Sequence, residues 1–198
     1  MDAEDDRTPP TRIRITRLQE VQLPTAAALS DYSARLHHAH GVPPEAAIGL
    51  SEVDIGRLTR NHDVLIAEAD DAPVGLMIWG DQAPGIAWIE HLVVHPDYQR
   101  FGIATKLLRD VGAKAKEHGV GEAVIAVHKQ APWALMFLGV RGFLPVSARK
   151  PPSEVLAAWL AEHGAAKTGH GAELWTAATD GLGMIPGLPR PSTRPPSP

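Results

Sequence analysis

Apolar positions along the chain change period several times, and each change marks an element. Ile13, Ile15 and Leu18, set among Arg12, Arg14 and Arg17, have the spacing of a half-exposed first strand. Leu29, Tyr32 and Leu36 return at three- and four-residue intervals, which predicts a helix over 25–38 with Ser33 and Arg35 off its buried stripe. Ser51 stands where it would cap a second helix over 52–60, with Asp54 as capping partner. The apolar runs 64–69 and 74–79 flank Asp70, Asp71, Ala72 and Pro73 and read as a hairpin, followed by a turn over 81–85.

The densest pattern lies between Ala87 and Lys116. Trp88 to Val94 reads as a buried strand with Glu90 and His91 as its only ionisable residues. Pro96 ends it, since proline has no amide for the ladder and holds the preceding His95 extended. Ile103, Leu107, Leu108, Val111 and Ala115 then form the apolar stripe of a helix. The connection is Gln99, Arg100, Phe101, Gly102, Ile103 and Ala104. Gly102 lets a ligand approach the backbone, and the amides from Phe101 to Thr105 point out of the helix start, which makes an anion site. A charge-assisted hydrogen bond there contributes roughly 1.5–3 kcal/mol and the helix dipole roughly 0.3–1 more, so a pyrophosphate can be held without a metal. Small Ala104 leaves room for the second phosphate. The stretch lacks the Gly-Lys-Ser/Thr ending of a Walker A loop and the three glycines of a dinucleotide fingerprint.

Downstream, His118 and Gly119 end the helix and 123–127 forms a strand reached by a right-handed crossover. A helix over 132–140 and a strand over 144–148 follow. Pro151 and Pro152 open an inserted helix, about 152–164, in which Ser153 caps 154–163 and Val155, Leu156, Trp159 and Leu160 are apolar. That stripe serves either the domain's own core, the favoured use, or a second copy in a homodimer. A last strand covers 173–177. Residues 1–10 are charged and proline-containing, predicting a disordered segment; 181–198 are dominated by glycine and proline, predicting an extended tail; 11–180 form one domain.

Composition narrows the field. With 44% apolar residues, 198 residues suffice for one substantial core. The balance of 19 basic to 23 acidic side chains gives no general electrostatic case for nucleic acid or an anionic membrane. The absence of cysteine excludes disulfides, thiolate metal sites and a cysteine nucleophile. No apolar run reaches the roughly 18–20 residues of a membrane span and no signal core is present, so a soluble cytoplasmic protein is expected. His37, His38 and His40 are too close in sequence to converge on a tetrahedral ion and lack a supporting carboxylate pattern, so they read as a solvated cluster and no metal is expected.

The stretch LVVHPDYQRFGIATKLL resembles the acyl-coenzyme A motif of the GNAT family of N-acetyltransferases: a strand, then Arg/Gln-x-x-Gly-x-Gly/Ala, then a helix. Gln99, Gly102 and Ala104 fill the three motif positions, and the strand and Pro96 sit where the family has them. The resemblance implies a single α/β (α+β) domain whose central twisted sheet is mixed but mostly antiparallel, with helices on both faces and splayed central strands. It implies acetyl-coenzyme A as acyl donor, cradled by Gln99, Arg100, Phe101, Gly102, Ile103, Ala104 and Thr105, with the pantetheine arm pairing with Leu92, Val93 and Val94. It also implies that the first two helices and the loop between them form one wall of the acceptor pocket. Gly142 and Phe143 match the family's Gly-Phe pair. Leu138, however, stands where the family often has a tyrosine that protonates the departing thiolate, and Gln130 or Ala131 where it often has asparagine.

Transfer to an amine requires the unprotonated form. A lysine-like amine with a pKa near 10.4 is free at pH 7 in about one molecule per two thousand, a cost of roughly 4.6 kcal/mol that a base or a desolvating pocket must offset. Glu90 and His91 are the candidates on the strand beside the expected thioester, and strict alternation sends them to opposite faces. Glu90 is favoured as base, acting through water, with His91 second and His128 a weaker candidate. The function this implies is acetyl transfer to a primary amine of a small molecule or peptide, the alternative being an acyl-coenzyme A sensor that has lost its chemistry.

Overall fold

The structure is a computed structural model that describes residues 7–148 and 153–184. In chain order the described elements are β1 (Ile13–Arg17), α1 (Leu23–Ala39), α2 (Glu52–Leu58), β2 (Asp63–Ala69), β3 (Ala72–Ala83), β4 (Ile86–Val94), α3 (Ile103–Glu117), β5 (Glu122–His128), α4 (Pro132–Gly139), β6 (Leu144–Pro145), α5 (Glu154–Lys167) and β7 (Ala172–Ala178). The strands form one mixed sheet in the order β1-β2-β3-β4-β5-β7-β6. Only β4 and β5 run parallel; the other neighbours are antiparallel.

Local chemistry explains the turns. Asp70 and Asp71 both adopt left-handed backbone, φ 48° and 68°, the geometry of a two-residue hairpin turn that short polar side chains tolerate. Asp70 fastens that turn to the chain before β1 by accepting bonds from the amides of Thr11 and Arg12 at 3.1 and 2.9 Å. Ser51 and Asp54 form the anticipated capping box on α2, and the Ser51 hydroxyl holds the Asp54 carboxyl below its ordinary range.

Helices cover both faces. On one, α3 and α4 bury Ile103, Leu107, Leu108, Val111 and Leu138 against Leu65, Met77, Ala87, Ile89 and Val94. On the other, α1 and α2 bury Ala26, Leu29 and Ile55 against Val64, Ile66, Leu76, Ile78 and Val93. The inserted helix α5 covers the second half of that face, with Leu156 and Trp159 packed on Ile86, Trp88, Val124 and Leu174. Leu156 and Trp159 of its apolar stripe therefore serve the domain's own core, while Val155 is exposed.

Several sequence expectations are revised. Ser33 of α1 is buried with Ser30, because the helix meets the sheet through small residues, while Tyr32 and Leu36 sit at the edge of the contact. β3 runs on to Ala83, which narrows the following turn to Pro84 and Gly85. The strand expected over 144–148 shrinks to Leu144–Pro145, since Pro145 has no amide to continue a ladder, and Val146–Ala148 coil into a 3-10 turn. Leu182, assigned from composition to the tail, is buried in the core, and the Gly183 carbonyl accepts from Arg109 Nε of α3 at 3.0 Å. Within the expected disordered segment, Arg7 donates to the Pro96 carbonyl at 2.6 Å, while residues 1–6 lie outside the described residues. Pro151, Pro152 and 185–198 also lie outside them.

Candidate active site

The turn before α3 has the geometry an anion cradle needs. Gly102 is the N-cap at φ 78°, a conformation that costs an L-residue strain, and a Cβ placed there would meet nothing within 4 Å, so the backbone faces open space. Arg100 also has a positive φ, 72°. Gln99 folds back and donates Nε2 to the Val94 carbonyl at 3.2 Å, tying the turn to the end of β4. The first intrahelical bond runs from Lys106 N to the Gly102 carbonyl, so the amides of Ile103, Ala104 and Thr105 have no helical acceptor. A pyrophosphate fits this cradle: exposed amides, a bare glycine and no acidic side chain among residues 98–106.

Arg141, which the sequence reading passed over, stands beside it. Its Nε and Nη2 donate to Thr105 Oγ1 at 3.0 and 2.6 Å, its Nη1 donates to the Phe137 carbonyl at 3.1 Å, and its guanidinium lies 3.9 Å from the centroid of the Phe137 ring. Burial, and secondarily the charge of Arg109, push its pKa below the ordinary arginine value. The only sequence signal was its place before the Gly-Phe pair.

Beyond the cradle the two central strands separate. β4 and β5 pair only from Ile86↔Glu122 to Ile89↔Ile125; from Glu90 onward the β5-facing side of β4 leaves that ladder. Leu92, Val93 and Val94 remain held from the other side by β3, so this stretch is ordered yet free of its parallel neighbour.

Glu90 lies where the ladder stops, and it is a bulge. β3 pairs Ile78 with His91 and Trp79 with Ile89, leaving Glu90 as an extra residue with no partner of its own. The bulge overturns the expectation that Glu90 and His91 face opposite sides. Ala87 and Ile89 pack toward α3 before it, Leu92 and Val94 do so after it, and both ionisable residues turn to the α1 and α5 face. Glu90 is solvent-accessible there and accepts from Trp88 Nε1. His91 Nε2 is sealed from solvent with no hydrogen-bond partner among the described residues. Burial pushes the His91 pKa down to about 4, with the charge of Glu90 opposing and that of His37 reinforcing the shift.

Segments distant in sequence converge on the opposite wall. His37 sits 6.0 Å from His128 and 5.5 Å from Trp133 between ring centroids, and His40 lies 4.4 Å from Trp133. The histidines at the end of α1 are engaged rather than merely solvated. His37 donates Nδ1 to Ser33, His40 donates Nδ1 to Leu36, His38 donates Nε2 to Ala47 and His128 donates Nε2 to Ala46, all to backbone carbonyls. No group of three His, Asp or Glu side chains among the described residues is arranged to hold a metal ion. A hollow of about 470 Å³ opens elsewhere, between α5 and β7, lined by residues that include Leu160, Gly164, Thr168 and Glu173, and it shares none with the cradle. No described helix is long and apolar enough to cross a membrane.

A seven-stranded mixed sheet opens beside an amide-lined turn, and comparison with known proteins gives that arrangement its class. The sequence matches the acetyltransferase (GNAT) family over residues 26–143, more than half of the chain, and the protein belongs to that family. No curated protein matches the chain in sequence. Among solved structures, the PaiA N-acetyltransferase of Thermoplasma acidophilum, in complex with coenzyme A, superposes with a TM-score of 0.67 at 17% identity, covering 85% of this chain and 99% of that one. The ribosomal-protein-S18-alanine N-acetyltransferase of Escherichia coli gives 0.60 at 17% identity, covering 85% and 94%. A GNAT acetyltransferase of Elizabethkingia anophelis with acetyl-coenzyme A bound gives 0.55 at 16% identity, covering 85% and 99%. At these identities the likeness concerns the fold.

Proposed function

We propose that the protein moves an acetyl group from acetyl-coenzyme A to a primary amine. The observation that supports this most is a conjunction on one strand-turn-helix: an amide-lined cradle at Gly102 and a strand edge released from pairing beside an accessible carboxylate. Gln99, Arg100, Phe101, Gly102, Ile103, Ala104 and Thr105 hold the pyrophosphate, chiefly through backbone amides, and Leu92, Val93 and Val94 offer backbone groups to the pantetheine arm. Bound acetyl-coenzyme A supplies an activated thioester. Glu90 takes the proton of the acceptor ammonium, directly or through one water, and an amide near Val94 meets the charge developing on the acyl oxygen.

Geometry favours Glu90 over His91 as base. Glu90 is accessible, whereas His91 Nε2 is buried without a hydrogen-bond partner and burial penalises the protonated imidazole, holding its pKa at about 4. His91 is neutral at pH 7 and its role is to shape the wall. As the nitrogen–carbon bond forms and the carbon–sulfur bond breaks, the sulfur leaves as thiolate and takes a proton. A thiol with a pKa near 8.5 obtains that proton from solvent at pH 7, so the reaction does not require a tyrosine at position 138.

Calorimetric titration with acetyl-coenzyme A and thiol release over a panel of small amines and amino-terminal peptides test this directly. Binding together with acetylated product supports the proposal; no binding, or equal binding by Gly102→Glu, removes the cofactor assignment. One observation favours a second reading. Leu138 points from α4 into the core and carries no hydroxyl, as a sensor without chemistry would allow. Binding with no thiol release across the panel selects that sensor.

A further inference from the structure

At the mouth of the gap the protein already holds an ammonium. Lys167, the last residue of α5, places Nζ 3.5 Å from Glu90 Oε2 and 4.4 Å from the centroid of the Trp88 ring. Trp88 Nε1 donates to that same carboxylate oxygen, so indole and carboxylate are fixed to each other and both face the cation. Behind them Trp159 stacks on Trp88 at 5.7 Å and 28°, and His163 stacks on Trp159 at 5.5 Å and 16°. Ser153 caps the far end of α5 by accepting from Leu156 N at 3.1 Å, and buried Leu156 and Trp159 anchor the helix on the sheet. The ion pair itself remains reachable, with the Lys167 and Glu90 side chains 28% and 36% exposed.

A carboxylate joined to the face of an indole is recognition chemistry for a primary ammonium, which the carboxylate attracts by charge and the ring by its quadrupole. It is also the protonated form in which an alkyl amine acceptor arrives at neutral pH. Resting on the acetyltransferase reading, we infer that Trp88 and Glu90 form the ammonium subsite of the acceptor and that Lys167 occupies it as a stand-in until the acceptor displaces it. The acceptor class follows: a primary alkyl ammonium on a slim aliphatic stem, as in a lysine side chain or a polyamine, because the place it takes is one that a lysine side chain already fills. The displacement needs no unfolding of α5. Lys167 is its terminal residue, and a rotation of the side chain about its own bonds frees the carboxylate while the Trp159 stack stays in place. A partly exposed ion pair with one cation–π contact is weak enough to exchange, and its removal is expected to improve apparent amine affinity by about tenfold.

The test uses n-butylammonium chloride as probe and the full chain with coenzyme A present. The indole N–H resonance of Trp88, assigned through Trp88→Phe, reports occupancy without requiring turnover. Lys167→Met, which keeps an apolar stem and removes the charge, is expected to show saturable binding with a midpoint about tenfold lower than wild type. Lys167→Arg, which restores a cation, is expected to return toward the wild-type midpoint, and Glu90→Gln added to Lys167→Met to abolish the response. Equal midpoints for wild type and Lys167→Met, or a response indifferent to Glu90→Gln, overturn the subsite. The two readings fail separately: probe binding without acetylation of any amine leaves the subsite and removes the enzyme, whereas acetylation of amines with no competition from Lys167 does the reverse. Lys167→Gln serves as a second neutral variant should Lys167→Met fold poorly, as judged by circular dichroism.

Discussion

The turn at the start of α3 and the mouth beside Glu90 belong to one continuous segment, yet they are built from different materials. The turn presents backbone: amides of Ile103, Ala104 and Thr105 below a glycine whose missing Cβ leaves open space. The mouth presents side chains, and they arrive from everywhere: Glu90 and His91 from β4, His37 from α1, His128 from β5, Trp133 from α4 and Lys167 from α5. A backbone site tolerates changes of side chain as long as the chain keeps its path. A side-chain site depends on each contributor and on the packing that delivers it. The contrast predicts which substitutions matter and in what way.

Gly102→Glu is expected to have the largest effect. It sets a carboxylate before the amides and forces a left-handed φ on a residue with a Cβ, and the loss of two charge-assisted bonds raises the Kd for coenzyme A by about a thousandfold. Calorimetry measures this, and a change under about tenfold breaks the backbone account of the turn.

Acid should weaken the mouth next. Burial holds the folded-state pKa of His91 at about 4, against about 6.5 in the unfolded chain. The unfolded chain therefore binds the proton first. The contribution of neutral His91 is complete above about pH 6.5 and falls as pH drops toward 4, by up to about 3 kcal/mol. Urea unfolding at about pH 7.5 and about pH 4.5 measures the loss, and His91→Gln should remove about 2.5 kcal/mol of that difference. An unchanged pH dependence in the variant shows that His91 is not held neutral by its surroundings.

Glu90→Gln should lower kcat for amine acetylation by about a hundredfold, the usual scale of a lost general base, while leaving the Kd for coenzyme A within about twofold. That split sharpens the comparison, since one site fails and the other does not. Retained activity from about pH 6 to about pH 9 removes Glu90 from the chemistry. The smallest effect belongs to Thr105→Val, which deletes the acceptor for two Arg141 bonds. It should change the Kd for coenzyme A by about fivefold at most, because the Thr105 amide stays where it is; a larger loss assigns the cradle's strength to side chains after all.

Legibility in the sequence divides along the same line. The strand, proline, glycine and helical stripe from Trp88 to Ala115 are local signals, each with a local physical cause, and they located the turn and its residues. The capping box at Ser51 and Asp54 and the hairpin at Asp70 and Asp71 were readable for the same reason. Strict alternation misjudged Glu90 and His91, because the extra residue at the bulge shows only against the register of β3. Arg141 and Lys167 were missed, since their partners lie 36 and 77 positions away: Thr105 for Arg141, Glu90 for Lys167. Residues from Gly181 onward looked too rich in glycine to pack, yet Leu182 is buried where the chain crosses α3.

What the sequence alone determined is the turn at the start of α3: a strand-turn-helix whose amide-lined turn depends on a glycine and on hydrogen-bonding rules that act within a few residues. Only the tertiary structure decided the mouth beside Glu90. There, long-range pairing with β3 turns two consecutive residues to the same face, and packing of α5 on Trp88 sets a lysine against the carboxylate. Contacts of that kind depend on how distant segments fold against one another, and no local pattern carries them.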